Sequence, residues 1–236
     1  MTESLYLDSE DILTDFLRSR LTDPRNRAED TETQTFNPSL DDTDITLANP
    51  TTGSISCITG VTIDGTDSKK WKNYYWDYQN KKLTFFSGFA GTEEVIITYK
   101  YGSSNWIYSD KPDENLSSSS FPRISIFTVS GSGQRLGNYE APMESNVLLQ
   151  VDLWVKENYI ATYDSRKYSN NYLSRYLGNE IIKQLSENED ELFPVLYDFR
   201  IVSNPRPAPY SYEYQAFHSV IELSFNGISV GRLINN

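Results

Sequence analysis

His218 is the only histidine and Cys57 the only cysteine in this 236-residue chain. They stand 161 positions apart in segments of different character. A zinc site or a histidine-activated nucleophile needs several such side chains together, so both read as packing residues. The stretch GSGQRLG at 131–137 contains G-x-G, but its third glycine has the wrong spacing for a dinucleotide fingerprint. No helix follows to supply the anion-binding terminus, and a flexible loop is the plainer reading. Asp41-Asp42-Asp44, Glu93-Glu94 and Glu189-Asp190-Glu191 concentrate carboxylates. None has the ligand spacing of a calcium loop, and none stands out as a glycosidase pair. Trp71, Tyr74, Tyr75, Trp76 and Tyr78 could stack sugars or bases, although alternating aromatics on a small sheet more often build a core. NPRPAPYSYEYQ, 204–215, combines three prolines with Tyr210, Tyr212 and Tyr214. It reads as a hairpin tip or as a stiff contact loop rich in low-entropy contact area. No catalytic, metal-binding or cofactor-binding set emerges, and the chain is expected not to be an enzyme.

The elements around these residues follow from periodicity. Between Leu7 and Pro24, the stripe Ile12, Leu13, Phe16, Leu17 and Leu21 predicts a helix, with Asp8 or Ser9 as its cap. The polar stretch RNRAEDTETQTFNPSLDDTD then reads as a linker. Residues 45–101 hold short alternating runs, ISCITGVTIDG, YYWDYQNKKLTFF and EEVIITYKY, punctuated by turns such as Asp64-Gly65. They predict an antiparallel β-module of about five strands, left through the connector DKPDENLSSSS. FPRISIFTV and NVLLQVDLWV predict two strands joined by a long polar loop, 130–146. In the second, Val147, Leu149, Val151, Leu153 and Val155 face one side, and Leu148, Gln150, Asp152, Trp154 and Lys156 the other. Residues 164–188 predict a helix with the buried stripe Tyr172, Leu173, Tyr176, Leu177, Ile181, Ile182 and Leu185. VLYDFRIVS and FHSVIELSFN close the chain as a strand pair.

The expected fold class is α+β: a small sheet with two packed helices, in the order helix-strand-strand-helix-strand-strand. Residues 1–35 and 113–236 form this unit, and 36–112 form an inserted antiparallel β-module, separable from it. The net charge is −12. It divides as −5 over 1–35 (nine acids, four bases), −2 over 36–112 (nine acids, seven bases) and −5 over 113–236 (fifteen acids, ten bases). Such acidity argues against sequence-general nucleic-acid binding. A single cysteine excludes an intrachain disulfide framework. The start MTESLYLDSEDIL has no secretion-signal pattern and no run reaches the length of a membrane span, so the expectation is a soluble protein made in a cytoplasm.

The outer order resembles the tail terminator (tail completion or neck) proteins of long-tailed phages and archaeal tailed viruses. The resemblance rests on the N-terminal helix, on Phe121-Pro122-Arg123-Ile124-Ser125-Ile126, on NVLLQVDLWV, on the long helix and on the closing HSVIELSFNGI, 218–228. It covers roughly residues 5–24 and 119–236, while the β-module departs from the compact members of that family. It implies a structural virion protein, localised at the tail or neck and made in the host cytoplasm. The implied assembly is a hexameric ring of this chain with itself, at the head-proximal end of the tail tube. The implied partners are the tail tube protein and the head-tail connector or adaptor proteins, with no membrane and no cofactor. DNA would pass through the channel without specific binding, along a wall of acidic and neutral polar side chains. Loops 130–146 and 203–215 would reach axially, with Arg135, Tyr139, Arg206, Tyr210, Tyr212 and Tyr214 as contacts. Two other readings stand beside it: a head-completion or adaptor protein of the neck, and a carbohydrate- or surface-binding β-module protein of a virion.

Overall fold

The computed structural model describes residues 9–77, 80–110, 117–135, 143–163, 165–192, 195–212 and 214–228. The chain starts with helix α1 (Ser9–Arg20). Strands β1 (Asp30–Phe36), β2 (Asp44–Thr46), β3 (Ser54–Ile63), β4 (Thr66–Asp67), β5 (Tyr74–Asp77), β6 (Lys82–Phe85) and β7 (Val95–Gly102) follow. Then come β8 (Ile107–Tyr108), β9 (Arg123–Arg135), β10 (Met143–Lys156), β11 (Ile160–Tyr163) and β12 (Arg166–Ser169). Helix α2 (Asn170–Glu187), the single turn α3 (Glu189–Leu192), β13 (Leu196–Ser211) and β14 (Ala216–Ile228) complete it.

Strands take up 51% of the structure and helices 18%, so the expected α+β unit of a small sheet with two packed helices is corrected to a β-rich fold. Three features unread in the sequence account for the difference. The stretch taken as a linker contains β1, which pairs along its whole length with β7, from Asp30↔Tyr101 to Phe36↔Val95. Its polar residues alternate at an exposed edge, where no hydrophobic pattern is required. The loop expected at 130–146 is largely ladder: β9 and β10 stay paired out to Arg135↔Met143. The proline segment is the second half of β13, the edge strand of its sheet. Pro205, Pro207 and Pro209 fall where the pairing with β14 is already broken by register shifts on both sides of Pro207, so on this edge strand their missing donors cost little ladder.

The main sheet runs β13-β14-β10-β9-β8, antiparallel except for the β8–β9 pair. Its first face carries Ile124, Ile126, Val147, Leu149, Val151, Leu153, Val155, Ile221, Leu223 and Phe225, all buried beneath α1 and α2. From α2, Leu173, Leu177, Ile181 and Leu185 enter that core as expected, whereas Tyr172 is 72% exposed. The helix begins at Asn170 and not at 164, because Arg166–Ser169 pairs with Ile160–Tyr163 as a hairpin. Gly178 sits where α2 crosses β13: a Cβ there would lie 2.8 Å from Cγ of Pro205 and 2.9 Å from its Cβ. Alanine ordinarily gains ~1 kcal/mol over glycine inside a helix. Here the rigid ring cannot yield, and overpacking costs ~1–3 kcal/mol. Gly178→Ala is therefore expected to lower the urea midpoint, and a raised midpoint would mean the crossing is looser than drawn.

The β-module has seven strands in place of the five expected, in two sheets, β1-β7-β3-β4 and β2-β6-β5. They share a core of Ile45, Ile58, Val61, Tyr74, Trp76, Leu83, Phe85, Val95, Ile97 and Tyr99. The Asp64-Gly65 turn read from the sequence links β3 to β4, with φ of +49° and +74°. The module is not closed upon itself. Trp71, Tyr75, Trp106 and Ile107 belong to the core of the main sheet, and β8 is a strand of that sheet. Strand β1, which precedes the expected start of the module at 36, pairs with β7 inside it, and residue 112 lies outside the described residues.

Candidate functional site: the second face of the main sheet

Cross-strand register sets the second face. Trp154 lies opposite Arg123 and His218, Asp152 opposite Ser125 and Val220, and Gln150 opposite Phe127 and Glu222. Among the described residues no helix packs on this face. At one end the turn after β13 folds back over it, so that Phe121, Trp154, Ala216 and Tyr214 form a small apolar cluster. The Trp154 and His218 rings stack at 3.9 Å and 5° apart, and Tyr214 meets Trp154 edge-on at 5.2 Å. His218 Nε2 lies 3.2 Å from Oδ2 of buried Asp152. That is ion-pair reach without the alignment of a hydrogen bond, since Nε2 has no hydrogen-bond partner among the described residues. Gln150 Nε2 donates to the other Asp152 oxygen at 2.8 Å. Buried Arg123 pairs with Asp110, donates from Nε to Ser125 Oγ at 3.1 Å, and lies 3.8 Å over the Tyr108 ring. The Ser125 hydroxyl, across the ladder from Asp152, is thus engaged by a guanidinium. The arrangement pins strands together and orients an aromatic surface.

The residues expected as contacts are scattered across the sheet. Tyr210 meets Tyr212 and Phe217 edge-on, each at 5.2 Å, and its hydroxyl donates to Glu157 at 3.4 Å. Tyr212 is 87% exposed. Tyr214 turns to the opposite face and Trp154, while Arg206 pairs with Glu222 at 3.0 Å. Arg135 ends β9, and Tyr139 lies outside the described residues. These residues do not form one site. Of the run that could have stacked sugars, Trp71, Tyr74, Tyr75 and Trp76 are buried, and Tyr78 lies outside the described residues. Asp152 and Trp154 were visible in the sequence only as the mixed face of a strand. Their pairing with His218 depends on a register that separates the partners by more than sixty residues.

A second polar cluster joins α1 to the module, beside a cavity of about 440 Å3 lined in part by Phe16, Arg20, Lys70, Trp71, Asp190 and Glu191. Lys70 Nζ pairs with buried Asp15 and donates to the Ile58 carbonyl at 2.9 Å. Arg18 donates to the Ile107 carbonyl from Nε at 2.9 Å and from Nη2 at 2.6 Å. Burial, with Asp15 nearby, pushes the neighbouring Cys57 thiol up from 9.0 to about 12. The folded chain keeps this proton while the unfolded chain loses it, so the stabilisation is complete below pH 9 and disappears as pH rises towards 12. Over that window the thiol alone lowers stability by about 1.4 kcal/mol per pH unit. The advantage of the natural chain over Cys57→Ala is expected to shrink by that slope between urea titrations above pH 9. A constant difference would show a thiol that does not titrate in this window.

Among the described residues no three His, Cys, Asp or Glu side chains are grouped to hold a metal ion, and no helix is long and apolar enough to cross a membrane. No protein-family model matches the chain, and no curated protein and no solved structure gives a match.

Proposed function

We propose that this chain is a structural virion protein of the tail-terminator type that its sequence resembles. It assembles with itself into a ring at the head-proximal end of a tail tube, ends tail polymerisation and joins the tail to the head-side connector. Its neighbours are the tube protein and connector or adaptor proteins, it uses no cofactor, and DNA passes through the hole without specific binding. An acidic and neutral polar wall suits that passage, because it repels phosphate.

The observation that carries this reading is the second face of the main sheet. Phe127, Leu148, Gln150, Glu222 and Ser224 are half-buried there with no described helix above them, next to the Trp154, His218 and Tyr214 rings. Apolar and aromatic groups among paired charges are the composition of a protein interface. Burial of Trp71, Tyr74, Tyr75 and Trp76 in the cores of the module and the main sheet favours this reading over sugar binding. Sedimentation velocity and negative-stain microscopy of the purified chain test the proposal. The expected result is a closed ring with a central hole at micromolar concentration. A monomer throughout, with no stacking on tail tubes, overturns it.

A further inference from the structure

Charge on this chain is segregated at two places, the loops of the β-module and the outer side of α2. At the far end of the sandwich the loops 37–43, 62–66 and 86–94 converge. Asp41 N–H donates to Phe89 O at 2.8 Å, and Phe89 N–H donates to Asp42 O at 3.1 Å. Asp64 N–H donates to Glu94 O at 2.9 Å, and Glu94 N–H returns to Asp64 Oδ1 at 2.9 Å. The Glu93 carboxylate accepts from Ala90 N–H at 2.7 Å and Thr92 N–H at 3.1 Å. These loops carry Asp41, Asp42, Asp64, Glu93 and Glu94 with no lysine or arginine, five negative charges in all. In their midst Leu40 is 67% exposed.

The opposite sign lies along the outer side of α2. Tyr172, Arg175, Asn179 and Lys183 form an exposed stripe at helical spacing, and β12, leading into the helix, adds exposed Arg166 and Lys167. Residues 165–183 hold four bases and one acid, Glu180, for a net +3 in a chain of −12. Beneath the stripe Tyr168 stacks on Tyr176 at 4.5 Å, and Tyr163 meets Tyr176 at 4.9 Å, so its base is braced. Among the described residues neither Arg175 nor Lys183 forms an ion pair or a side-chain hydrogen bond.

We propose that the acidic tip of one copy docks on the α2 stripe of the next, with Leu40 against the Tyr172 side of the stripe. The inference rests on the ring reading above and names the contact between copies, leaving the second face of the main sheet to the tube or connector. A ring needs two different, complementary patches on each copy, and these are such a pair. Opposed potentials fix the partner and register, while tyrosine and arginine supply the anchors. The stripe's cations then lie between copies and leave the channel wall acidic.

A charge swap tests this. One variant reverses the tip (Asp41→Lys with Glu94→Lys) and the other reverses the stripe (Arg175→Glu with Lys183→Glu). Each alone is expected to sediment as a monomer, with the circular dichroism of the natural chain. Mixed in equal amounts they regain the assembly in a 1:1 ratio, because each tip again meets a stripe of opposite sign. If a reversal unfolds the chain, Arg175→Gln with Lys183→Gln reads the same contact and is expected to weaken assembly about tenfold. Variants that assemble like the natural chain would place the contact elsewhere and leave the ring reading standing. Variants that fail both alone and mixed would refute the pairing of these two surfaces. A natural chain that stays monomeric removes both proposals.

Discussion

Lys70→Met is expected to lower unfolding free energy by about 3–5 kcal/mol, because it strands the Asp15 carboxylate, fully buried, without its main counter-charge. Burial, the largest influence, would lower the Lys70 pKa, but the charge and hydrogen bond of Asp15 together with Tyr74 and Cys57 outweigh it, so the ammonium's pKa is raised. The lysine's contribution is therefore complete below its ordinary value and is lost as pH rises through the raised value. Restoring neutrality by a second change, Asp15→Leu, is expected to recover much of the loss, since apolar replacements of buried pairs are often tolerated. Urea midpoints of the natural chain, the single variant and the double variant decide it. A single variant no worse than exposed Lys72→Met would mean that water reaches Asp15 freely.

Excising residues 36–112 and bridging the gap with a short linker has a larger expected effect: the remainder should lose cooperative unfolding altogether. The sequence suggests the reverse, since the flanks are polar and the outer elements look complete. In the structure the cut removes Trp71, Tyr75, Trp106 and Ile107 from the main core and strand β8 from the main sheet. It also removes Lys70 from Asp15, and Lys100 from Glu29, which it contacts at 2.9 Å. Each large core side chain lost typically costs ~2–5 kcal/mol, and four together exceed the stability of most domains. Near-ultraviolet dichroism and a urea titration of the excised chain provide the check. A sharp single transition would show that the helices close over the sheet unaided.

What could be read beforehand follows from where burial is one-sided. Val147 to Val155 alternate because one face of β10 is sealed by helices, and Leu173, Leu177, Ile181 and Leu185 repeat at helical spacing for the same reason. Both patterns emerge directly from the sequence. Asp30–Phe36 shows no hydrophobic signal since it is an exposed edge strand, so its pairing with β7 had no trace to follow. Prolines at 205, 207 and 209 suggest a loop until the strand is known to be an edge. The stack of His218 on Trp154 and the pairing of Lys70 with Asp15 are long-range meetings of single residues, and no local period encodes them.

The prolines of β13 bear on how this protein fails as well as how it folds. A long outer strand is a template on which a partly folded neighbour can crystallise into a fibre, and this strand is sixteen residues long. Three absent donors in succession, with four register irregularities, leave no continuous hydrogen-bonding row for a foreign strand to copy. Replacing Pro207 and Pro209 by valine would hardly alter the native ladder, yet it would supply the missing donors to a segment already rich in tyrosine. Thioflavin-positive aggregation during refolding is the expected symptom, appearing before any loss of native stability.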